Sequence, residues 1–102
     1  MLEKNAARYA ERIREQLGNH VLKVVLFGSR SRSDAKTDSD YDFLVVVDKK
    51  TEEIENSILE NEVLFLNNNN VMAGTILYDS LEWDRAKRFP IGRNIMKDGI
   101  EL

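Results

Sequence analysis

The residues best placed to do chemistry lie in the stretch LKVVLFGSRSRSDAKTDSDYDFLVVV, from Leu22 to Val47. Asp40 and Asp42 open its second apolar run. In a strand, side chains at i and i+2 point to the same side. Two carboxylates held side by side at a sheet edge repel each other unless a cation lies between them. Gly28 and Ser29 close the first apolar run. Glycine lets the backbone turn tightly and approach a ligand. Serine supplies a hydroxyl, and N–H groups at a following helix start can hold a phosphate oxygen. Paired aspartates suit Mg²⁺, which takes its remaining ligands from substrate phosphates and water. Taken alone, either pair is uninformative. Each flanked by a buried strand, they form a candidate metal and phosphate site.

Other motifs are excluded by their own requirements. A P-loop needs Gly-Lys-Ser/Thr five residues after Gly28, where Ser33-Asp34-Ala35 stands. Asp38, Asp40 and Asp42 imitate the start of an EF-hand loop. Phe43 then replaces the required glycine and Lys49 the bidentate glutamate. His20 has no second histidine with which to share a metal, and is read as structural.

The elements that must position these residues follow from periodicity. Leu2, Ala6, Tyr9, Ile13 and Leu17 predict an amphipathic helix ended by Gly18. Val21–Phe27 and Asp40–Val47 read as buried strands. Thr51, followed by Glu52 and Glu53, caps a helix carried by Ile54, Ile58, Leu59, Val63 and Leu66 to a turn at the run Asn67–Asn70. A third strand is expected from Val71 to Tyr78, then a helix capped by Ser80 through Lys87, and a last helix opened by Pro90 through Lys97. This order predicts an α/β (α+β) fold, a small mixed sheet flanked by helices, as a single domain over residues 1–102.

Composition narrows the classes. The net charge of −3 argues against bulk binding of duplex DNA. Without cysteine there is neither a disulfide framework nor thiolate chemistry. The charged first helix lacks the apolar core of a signal peptide, and no apolar run is long enough for a membrane span, so a cytoplasmic setting is expected. Arg85, Lys87, Arg88, Arg93 and Lys97 interleave with Trp83 and Phe89. Here the aromatics are read as packing a helix while the bases face solvent, rather than as a single-strand platform. A short chain with this apolar, aromatic tail is compatible with self-association.

Gly28-Ser29, ten residues, then Asp40-Tyr41-Asp42 resembles the signature of the minimal nucleotidyltransferases of the DNA polymerase β-like superfamily. VVLFGSR, SDYDFLVVV and the closing FPIGRNIMKDGIEL extend that resemblance over nearly the whole chain. It implies a polymerase β palm-like fold in which Gly28 and Ser29 hold a nucleoside triphosphate, and Asp40 and Asp42 bind catalytic Mg²⁺. The implied reaction is transfer of a nucleoside monophosphate, AMP from ATP, to a hydroxyl of a protein or RNA. It also implies a helical HEPN-type partner, to which the chain would be the antitoxin. Arg30 and Arg32 would then pair with triphosphate oxygens, with Lys36 a weaker candidate. Ser31 and Ser33 take the small-residue positions of the turn. The resemblance further implies a third carboxylate on the next strand, yet VMAGTILYD places Ala73 or Gly74 there. Asp79, Glu60 and Glu62 are the nearest acids in sequence. The alternative to an enzyme is therefore a binding module that neutralises its partner by complex formation.

Overall fold

The structure is a computed structural model that describes residues 3–32, 36 and 39–102. Leu2, Ser33, Asp34 and Asp38, which figure in the sequence reading, lie outside the described residues.

Helix α1 (Lys4–Leu17) begins where the Glu3 carboxylate accepts a hydrogen bond from the Asn5 N–H, and it ends at Gly18 with φ 56°. Its buried stripe is Ala6, Tyr9, Ala10, Ile13 and Leu17. A single 3₁₀ turn leads into β1 (Val21–Phe27), followed by β2 (Tyr41–Val47), α2 (Glu52–Asn69), β3 (Ala73–Asp79), α3 (Ser80–Ala86), α4 (Pro90–Asp98) and the short β4 (Ile100–Glu101). The sheet order is β3-β2-β1-β4. β1 pairs antiparallel with both β2 and β4, whereas β2 and β3 are parallel and joined through α2.

Strand alternation divides the core into two faces. Tyr41, Phe43, Val45 and Val47 pack with α1 and α2, while Leu44 and Val46 pack with Trp83 and Ile95 from α3 and α4. On the first face Tyr9 stacks on Phe43 at 4.2 Å, with Phe65 edge-on to both. Phe43 is fully buried, and truncating such a ring typically costs about 3–5 kcal/mol. The even-numbered positions of β2 face α3 and α4, which puts Asp42 on that side, at the open end of the strand.

Several boundaries differ from the sequence reading. α2 runs through Asn69 rather than stopping at Asn67, because Phe65 anchors its last turns in the core and the Asn69 amide donates to the Phe65 carbonyl. Only Asn70 leaves the helix, at φ 56°, the conformation asparagine tolerates. The cap of α3 is Asp79 rather than Ser80: its carboxylate accepts from the Glu82 N–H while Glu82 accepts from the Asp79 N–H. Trp83 is buried as expected, but Phe89 is 61% exposed. Pro90 requires an extended residue before it, and that conformation turns Phe89 away from the core. β4, two residues long, is too short to leave a periodic signal.

Candidate functional site

The site is built where β1 ends and β2 begins. Gly28 leaves β1 at φ 77°. Its carbonyl accepts from the Ser31 N–H at 3.1 Å and the Ser31 hydroxyl at 2.7 Å, and the Ser29 carbonyl accepts from the Arg32 N–H at 3.2 Å. The result is a tight turn that follows β1 directly. Phe27 is the ladder partner of Asp42, so the Asp42 carboxylate comes to rest against Gly28. A Cβ at position 28 would collide with Asp42 Oδ2. Both the positive φ and this close approach demand glycine.

Asp42 is half-buried and Asp40, one residue before β2, is exposed. Burial pushes the Asp42 carboxyl above its ordinary value, the Asp40 charge pushes it further, and Arg32 draws it part of the way back. The structure thus brings Asp40, Asp42, Gly28 and Arg32 into one electrostatic neighbourhood. Arg32 also approaches Asp98 at 3.7 Å. Arg30 turns elsewhere. Its Nε and Nη2 donate to the Ser39 carbonyl at 3.1 and 2.8 Å, and its guanidinium stacks over Tyr41 at 4.3 Å. Arg30 therefore fixes the residues that lead into Asp40. Lys36 is exposed, and its backbone N–H donates to the Ser39 hydroxyl.

The three acids considered as a third carboxylate lie apart. Gly74 is the residue in register with Asp42, and nothing stands within 4 Å of where its Cβ would be. Asp79 pairs with Val47 at the opposite end of β3, about 16 Å further along at some 3.3 Å per residue. Glu60 and Glu62 sit on α2, which packs on the other face of the sheet, where Glu62 faces Tyr9. Among the described residues no group of three or more His, Asp or Glu side chains gathers to hold a metal. The two aspartates nonetheless suit Mg²⁺: they supply hard oxygen donors, and their mutual repulsion awaits a cation. His20 bonds Asp48 at 3.0 Å on the surface beyond the far end of β2, remote from the pair.

One feature escaped the sequence reading. A cleft of about 670 Å³ adjoins the turn, lined by Phe27, Gly28, Arg32, Ile91, Asn94, Ile95 and Asp98. Its α4 residues recur at i, i+3, i+4 and i+7, a face that periodicity assigns to burial alone.

A mixed sheet with a glycine–serine turn set against an acidic strand start defines a nucleotidyltransferase-type palm. The sequence matches the nucleotidyltransferase domain family over residues 7–100, and the chain belongs to that family. Solved structures share the fold. A toxin–antitoxin complex with AMP-PNP matches with a TM-score of 0.64 and 16% identity, over 92% of this chain and 69% of the other. A Shewanella oneidensis complex of a tri-AMPylated HEPN toxin with its MNT antitoxin matches with a TM-score of 0.62 and 17% identity, over 99% and 71%. A candidate nucleotidyltransferase from Sulfolobus solfataricus matches with a TM-score of 0.59 and 26% identity, over 96% and 76%. No match was found among curated proteins. Among the described residues no helix is long and apolar enough to cross a membrane.

Proposed function

We propose that this chain is a Mg²⁺-dependent nucleotidyltransferase that moves AMP from ATP to a hydroxyl of a helical HEPN-type partner protein in the cytoplasm, acting as its antitoxin. The observation that carries this reading is the close approach of the Asp42 carboxylate to Gly28, which sets the start of the acidic strand directly against the glycine–serine turn. Two structural neighbours support it, a toxin–antitoxin structure with AMP-PNP and a tri-AMPylated HEPN toxin in complex with an MNT antitoxin. In this reading Ser29 and the turn N–H groups hold triphosphate oxygens, and Arg32 offsets phosphate charge. Asp40 and Asp42 would hold Mg²⁺, which when bound supplies charge neutralisation at the transferring phosphoryl group. The acceptor oxygen bonds to the α-phosphorus and the α–β bridging P–O bond breaks. Pyrophosphate leaves with the electron pair, and the hydroxyl proton passes to solvent.

The test is incubation with α-labelled ATP, Mg²⁺ and a HEPN-type partner protein. Label should appear on the partner with wild type and be absent with Asp40→Ala/Asp42→Ala. A second reading is favoured by one observation, the glycine opposite Asp42. On that reading the chain binds nucleotide and partner but transfers nothing. Full neutralisation of the partner by the double alanine variant would select it.

A further inference from the structure

Resting on the nucleotide reading of the Gly28–Asp42 site, we infer that the cleft between the turn and α4 is the nucleoside subsite, and that Asn94 selects adenine. The cleft shares Gly28 and Arg32 with the phosphate side, so the two adjoin. Its volume of about 670 Å³ falls within the range of small-molecule sites, roughly 300–1,000 Å³. Phe27 and Ile91 give it apolar walls suited to a heteroaromatic ring, over the buried Ile95. Phe27 is also the ladder partner of Asp42, which ties this lining to the carboxylates.

The polar residues are graded along α4 in the order a nucleotide requires. Asp98 pairs with Arg32 at the phosphate end, where its carboxylate can accept a ribose hydroxyl. Asn94 lies one helical turn away and Ile91 nearly another, about 10 Å from Asp98 at 1.5 Å per residue. The amide of Asn94 offers a donor and an acceptor side by side. That pair matches the acceptor and donor on the N7/N6 edge of adenine, whereas the corresponding edge of guanine carries two acceptors. Asn94 and Ile91 are exposed, so neither is held in place by a core role.

The test compares Mg²⁺-ATP, Mg²⁺-GTP and Mg²⁺-tripolyphosphate binding by calorimetry to wild type, Asn94→Ala, Ile91→Ala and Met96→Ala. Met96 is an exposed residue of α4 outside the cleft and serves as the control. Wild type should prefer ATP over GTP about tenfold, and Asn94→Ala should lose that preference. Ile91→Ala should weaken ATP severalfold. All four proteins should bind tripolyphosphate equally. Equal ATP affinity and an intact preference in Asn94→Ala and Ile91→Ala would overturn the subsite while leaving the phosphate site standing. Failure of wild type to bind either ATP or tripolyphosphate would overturn both.

Discussion

Asp42 and Gly74 are ladder partners in the parallel β2–β3 pair, and the glycine leaves open space beside the half-buried carboxylate. On a parallel ladder, partners project to the same face, so an acid at position 74 would stand next to Asp42. Gly74→Asp should therefore tighten Mg²⁺ binding about tenfold and raise transfer to the partner. Without metal it should lower stability, through like charges set side by side. A Mg²⁺ titration by calorimetry checks the first effect; unchanged affinity would show that position 74 does not face the metal.

Gly28→Ala meets two obstacles, a left-handed backbone and the Asp42 carboxylate. The expected loss is about 1–3 kcal/mol in urea unfolding, together with impaired nucleotide binding. Gly18 has a similar φ of 56° but open space at its Cβ, so Gly18→Ala should lose stability without affecting binding.

Asp42→Asn should separate stability from function. The fold disfavours the ionised carboxylate through burial and Asp40. At neutral pH the neutral amide removes that penalty, so the thermal midpoint should rise while Mg²⁺-nucleotide binding is lost. A falling midpoint would mean that Asp42 contributes to the fold as well.

The capping box of α3 gives a pH signature. Hydrogen bonding to the Asp79 N–H, and then to Lys50, holds the Glu82 carboxyl below its ordinary value. Its contribution is therefore fully present above the usual glutamate range and is lost as pH falls through the lowered folded-state value. Glu82→Gln should flatten that acid limb in urea midpoints taken between pH 7 and 3. Asp79→Ala should cost about 1 kcal/mol at neutral pH.

Much of this was legible in the sequence because its signals are local. Val21–Phe27 reads as a strand from its β-branched run, Thr51 as a cap from the acids after it, and Pro90 as the first residue of α4. The proximity of the turn to Asp40 and Asp42 followed from spacing. Register did not: that Gly74, and not Ala73, faces Asp42 depends on how two distant segments pair. The α4 cleft is likewise a tertiary fact, created when residues 27–32 meet residues 91–98. The bond from Arg30 to Ser39 depends on the path of the connection between them, which carries no periodic signal. Phe89 looked like core by type and is exposed because Pro90 fixes the backbone before it.

The central claim is that Asp40 and Asp42 hold a divalent cation against the Gly28–Ser29 turn. Paramagnetic broadening by Mn²⁺ in the presence of ATP tests it most directly, read from the backbone amide spectrum of wild type and Asp42→Asn. Broadening centred on residues 28, 29 and 40–43, and lost in Asp42→Asn, is the predicted result. Broadening centred instead on the acidic first turn of α2, at Glu52, Glu53 and Glu55, or unchanged in the variant, would contradict it.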